Sequence, residues 1–421
     1  LGAASASLLA FTTMLITAMA AGRADHRMVI LDSPGRGVLL RVDALSFPLL
    51  VMAAALWLAG LCVAPTSSFS PAAVRRSAMA AGCMLLAFAT TSPFLLVGAL
   101  VAGSGVFVLE HRATPRVARV AGLYLGLSAL ALATGAVMLE LRWAESLGLW
   151  LAAFGLLVRK GIVPLHSWMP DSFEFGHLIP ALLFQGPQVG AYAAVILLLP
   201  AASDGTLTLV AVLSLVTAVY GASLAVSEPD TRRAFGYLFM SQSALVLAGI
   251  TTAERAAVAG SLAVWVASSL ALSGMGLAIT ALELRRGRLS LRDYHGGYEQ
   301  TPLLGLSFLL LGLASVGFPG TLGFLGEELL VGGTVARFPA FGFVVIVATA
   351  LNGITVMRMY FSLFCGRRRT GIVLGLRPRE LAVFAGLAAV LVASGLAPRY
   401  MVDSRLKAAD AALATVAEGA R

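Results

Sequence analysis

The sequence predicts an all-α, polytopic membrane protein with about thirteen spanning helices, and three observations lead there. Mean hydropathy is +0.89, with 59% hydrophobic residues and only 12% charged ones, where soluble domains carry roughly a quarter. Apolar runs recur through all 421 residues with no long polar linker, so one membrane domain covers residues 1–421. The basic residues that remain gather in short loops between the runs, as the positive-inside rule expects. The formal charge of +9 therefore points to a membrane surface and not to nucleic acid.

A helix of about 17–25 apolar residues crosses a bilayer. Runs of that kind fall at roughly 3–21, 43–64, 77–91, 93–109, 117–140, 146–163, 177–200, 205–226, 234–251, 257–283, 302–335, 338–364 and 380–398. The first is followed by Arg23, Arg27, Arg36 and Arg41, with Asp25 and Asp32 beside them; the second is separated from the third by Arg75 and Arg76. Arg112, Arg116 and Arg119 follow the fourth, Arg142 the fifth, and Arg159 and Lys160 the sixth. Arg232 and Arg233 follow the eighth, Arg255 the ninth, Arg285, Arg286, Arg288 and Arg292 the tenth, and Arg337 the eleventh. Arg367 to Arg369, Arg377 and Arg379 follow the twelfth. Loops after even-numbered runs thus hold most of the cations and are expected on the cytoplasmic side, with the C-terminal tail on the other. The chain opens on Leu1, not Met, so the expectation is either an unusual start codon or an N-terminal piece, up to a whole helix, before it.

Two apolar elements are interrupted by proline and carry ionisable residues. They are RKGIVPLHSWMPD (Arg159 to Asp171) and GFPGTLGFLGEELL (Gly317 to Leu330). The run at 302–335 is too long for one straight span and is read as broken at Gly317 to Gly320. Paired, Gly/Pro-interrupted helices are the sequence mark of a transport site between repeats.

Candidate residues follow from those breaks. Only Lys160 and Lys407 are lysine among thirty basic residues. Arginine keeps its proton under nearly all conditions, whereas a desolvated lysine can release its own. A lysine where an apolar run meets a proline break is therefore a candidate titrating amine; the plainer alternative is a side chain snorkelling to the interface. His166 is a proton relay or a cap of the interrupted helix. Asp171, followed by Glu174 and His177, makes a polar stretch, and helix-start chemistry explains it equally well. Glu327 and Glu328 point about 100° apart on a helix; Glu327 is taken as interior and Glu328 as solvated. Arg358, inside LNGITVMRMYFSLF, is expected to pair with a carboxylate. Gln185, Gln188, Tyr192, Tyr237, Ser241, Gln242 and Ser243 either line a wet path or act as interhelical glue. Cys62, Cys83 and Cys365 stand far apart with no CxxC pair, so no metal cluster is suggested. No nucleotide loop, haem motif or nucleophile–base set is present, and no cofactor is expected.

At PLHSWMPDS the chain resembles the antiporter-like membrane subunits of respiratory complex I, their relatives in membrane-bound group 4 hydrogenases, and Mrp-type cation/proton antiporters. LLRVDALSFPLLV, with Asp43, resembles the opening of that family's third helix. FVLEHR with the helix near Tyr124 is most similar to the hydrogenase-type branch. EPDTRRAFGY (Asp230, Arg233, Tyr237) resembles its basic turn and following tyrosine, GFPGTLGFLGEELL its broken twelfth helix ending on Glu327, and VMRMYFSLFCG its closing arginine-tyrosine helix. The resemblance spans nearly the whole chain and implies inverted repeats, approximately 77–200 and 205–364, followed by a helix at 380–398. It implies proton, or in some relatives sodium, movement along a mid-membrane polar axis. On it lie Lys160, His166, Gln188, Gln242 and Glu327, with Asp43, Asp171, Arg233, Tyr237, Glu328 and Arg358 in support. Other membrane subunits and the lipid are the implied partners, and a cell inner membrane the location. The chain departs from the family pattern at Val97 and Gly98, where a glutamate is usual, at Gln188 and Ser273, where lysines are, and at Gln242, where a histidine is. Alternatives are a non-conducting structural subunit of such a complex and the membrane subunit of a proton-driven inorganic-carbon transporter.

Overall fold

The structure is a computed structural model that describes residues 28–33, 37–65, 70–366 and 375–419. A short antiparallel hairpin, β1 (Met28–Ser33) and β2 (Gly37–Val42), precedes the helices. The helices are α1 (Ser46–Val63), α2 (Pro71–Ala89), α3 (Pro93–Glu110), α4 (Pro115–Glu140), α5 (Glu145–Arg159), α6 (Trp168–Phe175), α7 (Leu178–Gln185) and α8 (Val189–Ala193), which runs on into a π-turn (Ala194–Leu198). They continue with α9 (Asp204–Ser227), α10 (Thr231–Thr251), α11 (Arg255–Arg286), α12 (Pro302–Ser315), α13 (Leu322–Arg337), α14 (Pro339–Phe364), α15 (Pro378–Leu396) and α16 (Pro398–Gly419).

Helix starts follow local chemistry. Proline stands in the first turn of α2, α3, α4, α12, α14 and α15, where its missing N–H has no intrahelical partner to lose. Side chains of Ser70, Ser203, Asp230 and Glu254 accept from the free amides of α2, α9, α10 and α11, satisfying orphan donors.

Among the described residues ten helices, counting the interrupted Leu178–Leu198 as one, are long and apolar enough to cross a membrane. The difference from about thirteen is accounted for element by element. The expected run at 3–21 lies outside the described residues, that at 146–163 is the 15-residue α5, and that at 302–335 is the pair α12 and α13, neither of them long enough alone. The chain is a multi-pass integral membrane protein.

The apolar windows of α10 and α11 are wholly buried, whereas those of α2, α14 and α15 are about one-third buried. The first two are therefore the axis of the bundle and the others its lipid-facing wall. α13 lies tightly on α11: a Cβ on Gly326 would come within 2.7 Å of the Val264 backbone nitrogen, and one on Gly260 would overlap Leu330. Small residues that admit such backbone approach are the usual packing device in lipid, where apolar side chains gain little by leaving their solvent.

Three breaks interrupt the bundle. Residues 160–167 separate α5 from α6, with Gly161 at φ +65°. Residues 316–321 separate α12 from α13, with Gly317 at +71° and Gly320 at +86°. The third, Gly186 to Gln188 between α7 and α8, was not expected from sequence; Gln188 sits in the left-handed region at φ 52°. The hairpin and α16 are also additions to the expected all-helical spans. α16 packs on α11, and Arg405 donates to the Ala44 carbonyl at 2.9 Å.

Candidate functional site

The first break brings two cations indoors. Arg159 ends α5 and Lys160 follows it, 9% and 2% exposed. This corrects the assignment of both to a basic loop and removes the snorkelling alternative for Lys160. The turn that follows is tied to the bundle at both ends, although Pro164 and Ser167 reach its surface. The Val163 amide donates to Thr217 Oγ1 of α9 (3.0 Å), and Trp168 Nε1 donates to the Val158 carbonyl (2.9 Å).

Lys160 Nζ donates to Gln188 Oε1 (3.1 Å), and Gln188 Nε2 donates onward to Ser268 Oγ (3.2 Å), with Ser269 Oγ at 3.5 Å. One hydrogen-bonded chain therefore joins the α5–α6 break, the α7–α8 break and α11. Gly190 is required beside it, since a Cβ there would meet Lys160 Cδ at 2.8 Å. Arg159 Nη1 donates to Ser104 Oγ of α3 (2.9 Å), and its guanidinium carbon stands 5.4 Å from the Phe184 ring centroid. Among the described residues neither cation has a carboxylate partner. Val97 is buried and Gly98 has open space at its Cβ position, so α3 supplies none.

Glu327 lies on α13 behind the other break. It is half-buried, its Oε1 is buried with no hydrogen-bond partner among the described residues, and its Oε2 rests against Gly317. Glu328, one residue on, is exposed. Among the described residues α10, α11 and α14 carry further buried polar atoms without partners: both amide atoms of Gln242, the hydroxyls of Ser261, Ser273 and Thr349, and Asn352 Oδ1. Buried polar groups are nearly always satisfied by protein or water. Amides and hydroxyls orient water; only Lys160 and Glu327 here can change charge.

His166 is half-buried with its ring edge-on to Tyr220 (5.2 Å), and its Nδ1 has no partner. Asp43 caps α1, accepting from the Leu45 and Ser46 amides, and pairs with Arg41 at 2.8 Å. Asp171 lies in an ionic cluster, 3.1 Å from Arg116 and 3.8 Å from Arg233. Arg233 also reaches Glu174 (2.7 Å), Glu228 (3.4 Å) and the Tyr237 hydroxyl (3.2 Å). Arg358 differs from expectation: it donates to the Glu228 backbone carbonyl at 2.8 Å and has no carboxylate partner among the described residues. That carbonyl closes α9, and a helix C-terminus carries partial negative charge that suits a cation.

Sequence reasoning overlooked Arg159, Ser104, Ser268, Ser269 and Asn352. For α11 a signal existed: Ser261, Ser268, Ser269 and Ser273 recur at helical spacing in an apolar run and so share one face. Asn352, which donates to Ser241 Oγ (2.9 Å), gave no periodic signal.

Residues 49–352 match the profile of the NADH:quinone oxidoreductase/Mrp antiporter transmembrane family. The chain belongs to that family. The matched stretch contains both cations, Gln188 and Glu327. A curated relative, NADH-quinone oxidoreductase subunit M of Mycobacterium tuberculosis, is 26% identical over 278 residues, covering 63% of this chain and 49% of its own. The chain spans about half the length of the curated relatives it matches. Among solved structures, respiratory complex I from Thermus thermophilus with bound NADH contains a chain similar at TM-score 0.86 and 21% identity, covering 98% of this chain and 94% of that one. The Mrp complex of a Dietzia species gives a TM-score of 0.83 at 17% identity, covering 98% and 93%. These structural likenesses establish an antiporter-like membrane fold.

Proposed function

We propose that this chain is an ion-translocating, most specifically proton-translocating, membrane subunit of a complex I-like or membrane-bound hydrogenase-like oxidoreductase in a bacterial cytoplasmic membrane. One observation carries the reading. A lysine amine is held inside the bundle at a helix break, on a neutral amide instead of a carboxylate, while a half-buried carboxylate with an unpartnered oxygen occupies a second break. Ionisable residues inside membrane bundles mark ion pathways, and a lysine held by a neutral partner is free to cycle its charge. The hydroxyl and amide row on α10, α11 and α14 supplies a polar route between them, within the inverted repeats at 77–200 and 205–364. Redox chemistry belongs, in this reading, to partner subunits.

A second reading has its own support. Val97, Gln188, Gln242 and Ser273 leave the interior without carriers between its ends, which suits a non-conducting structural subunit. Reconstitution of the full assembly in vesicles separates the two. Lys160→Ala and Glu327→Ala are each expected to abolish coupled proton movement while the assembly still forms. Normal pumping by both variants would leave only the structural role.

A further inference from the structure

Arg159 has no role in the path just described. Its guanidinium stays protonated under nearly all conditions and carries five N–H donors, yet it makes one hydrogen bond, to Ser104, and faces one ring, Phe184. Lys160 beside it uses one of three donors, on Gln188. Both side chains are more than nine-tenths buried. Two part-buried guanidinium groups elsewhere do meet carboxylates: Arg285 lies 2.5 Å from Glu380 and Arg232 2.5 Å from Glu283. Buried charges are generally paired because desolvating them alone costs several kcal/mol.

The free donors open on space. A cavity of about 30 Å3, room enough for water or a small ion, is bounded by Arg159, Lys160, Gln185, Gln188 and Ser243 between aromatic walls. Arg159 and Phe184 also bound a neighbouring pocket toward α1, α2 and α3. Trp57 and Phe184 are walls shared by that pocket and a groove of about 510 Å3 lined also by Arg76 and His177. Two cations, free donors, no carboxylate partner among the described residues and a small cavity occur together.

Water can satisfy those donors but leaves the charge uncompensated; a small anion does both. The geometry points to a binding site for one small monovalent anion, of halide or bicarbonate size, held between the Arg159 guanidinium and the Lys160 amine. The anion takes the place a carboxylate on α3 would otherwise fill. A bound anion favours the charged form of Lys160, so the site is occupied while the amine holds its proton; thermal unfolding reads this binding and not proton flux.

Thermal unfolding of the purified full chain, at fixed pH and ionic strength, tests it in chloride, bicarbonate and gluconate. Saturable stabilisation by chloride or bicarbonate, and none by the bulkier gluconate, is expected, and the anion with the lower midpoint is the preferred ligand. Arg159→Gln should weaken that response at least about tenfold, as loss of a charge-assisted hydrogen bond implies. Arg255→Gln, which alters an exposed pair with Asp410, should leave it unchanged. An unfolded Arg159→Gln protein would shift the decision to bromide-soaked wild-type crystals, where an anomalous peak is expected against the guanidinium. No anion-specific stabilisation, a response retained by Arg159→Gln, or no bromide peak there would overturn the proposal.

Discussion

At Gln188 a single side chain accepts from Lys160 and donates to Ser268 while its own backbone is left-handed. Gln188→Ala removes the acceptor of Lys160 and the donor to Ser268, leaving a buried donor unsatisfied at about 1–3 kcal/mol; a lower thermal midpoint checks this. Gln188→Glu retains the shape but places a carboxylate on the amine, which favours its charged form. Such a protein should stay folded and translocate slowly, and wild-type pumping by it would show that the Lys160 amine does not cycle. Gly190→Val would push a side chain into the lysine stem, costing about 1–3 kcal/mol as overpacking does, read out by denaturant unfolding. Lys160 was legible in sequence because lysine is nearly absent from this chain. Its partner was not, because a glutamine in an apolar run reads equally well as packing glue.

Helix breaks are where this fold exposes backbone and ionisable groups inside the bundle. Two of them were legible, since Gly317–Pro319–Gly320 and Pro164 cannot continue a helix. The third carried its own signal, Gly186–Pro187, but the apolar runs on either side masked it. At the 316–321 break Gly317 is needed twice, for φ +71° and for the room that Glu327 Oε2 occupies. Gly317→Ala should cost about 1–2 kcal/mol for the left-handed backbone alone and displace the carboxylate. The expected outcome is a folded protein with impaired ion coupling, measured by comparing thermal unfolding with proton flux in vesicles. Unimpaired flux would show that the position of Glu327 does not matter to transport.

Across the whole molecule the ion pairs sort the helix ends into two groups. Arg76–Glu110, Arg116–Asp171, Arg233–Glu174, Arg232–Glu283 and Arg288–Asp230 tie one end together. Arg337–Asp204 and Arg255–Asp410 lie at the other. The first end is the arginine-rich one that the positive-inside rule assigns to the cytoplasm. Arg112→Cys and Glu145→Cys flank α4, which is about 39 Å long at 1.5 Å per residue. In right-side-out vesicles an impermeant thiol reagent should label the second and spare the first, provided Cys62, Cys83 and Cys365 are first replaced. The opposite pattern would reverse the orientation. Arg233→Ala leaves Asp171, Glu174 and Glu228 short of a cation; since these groups are partly solvated, a loss of only about 1 kcal/mol is expected, and it should shrink in high salt.

The sequence by itself determined the membrane class, the approximate place of the ten spans found among the described residues, the two proline-glycine breaks and the ionisable residues at them. It could do so because hydropathy, helix-breaking residues and scarcity of charge are local properties that lipid enforces segment by segment. Only the tertiary structure decided that Arg159 and Lys160 are buried instead of looped out. It alone showed that Gln188 and Ser268 hold the amine, that Arg358 serves a backbone carbonyl, and that α10 and α11 form the buried axis. Those outcomes depend on which helices meet, and residues brought together from distant positions leave no periodic trace in the chain.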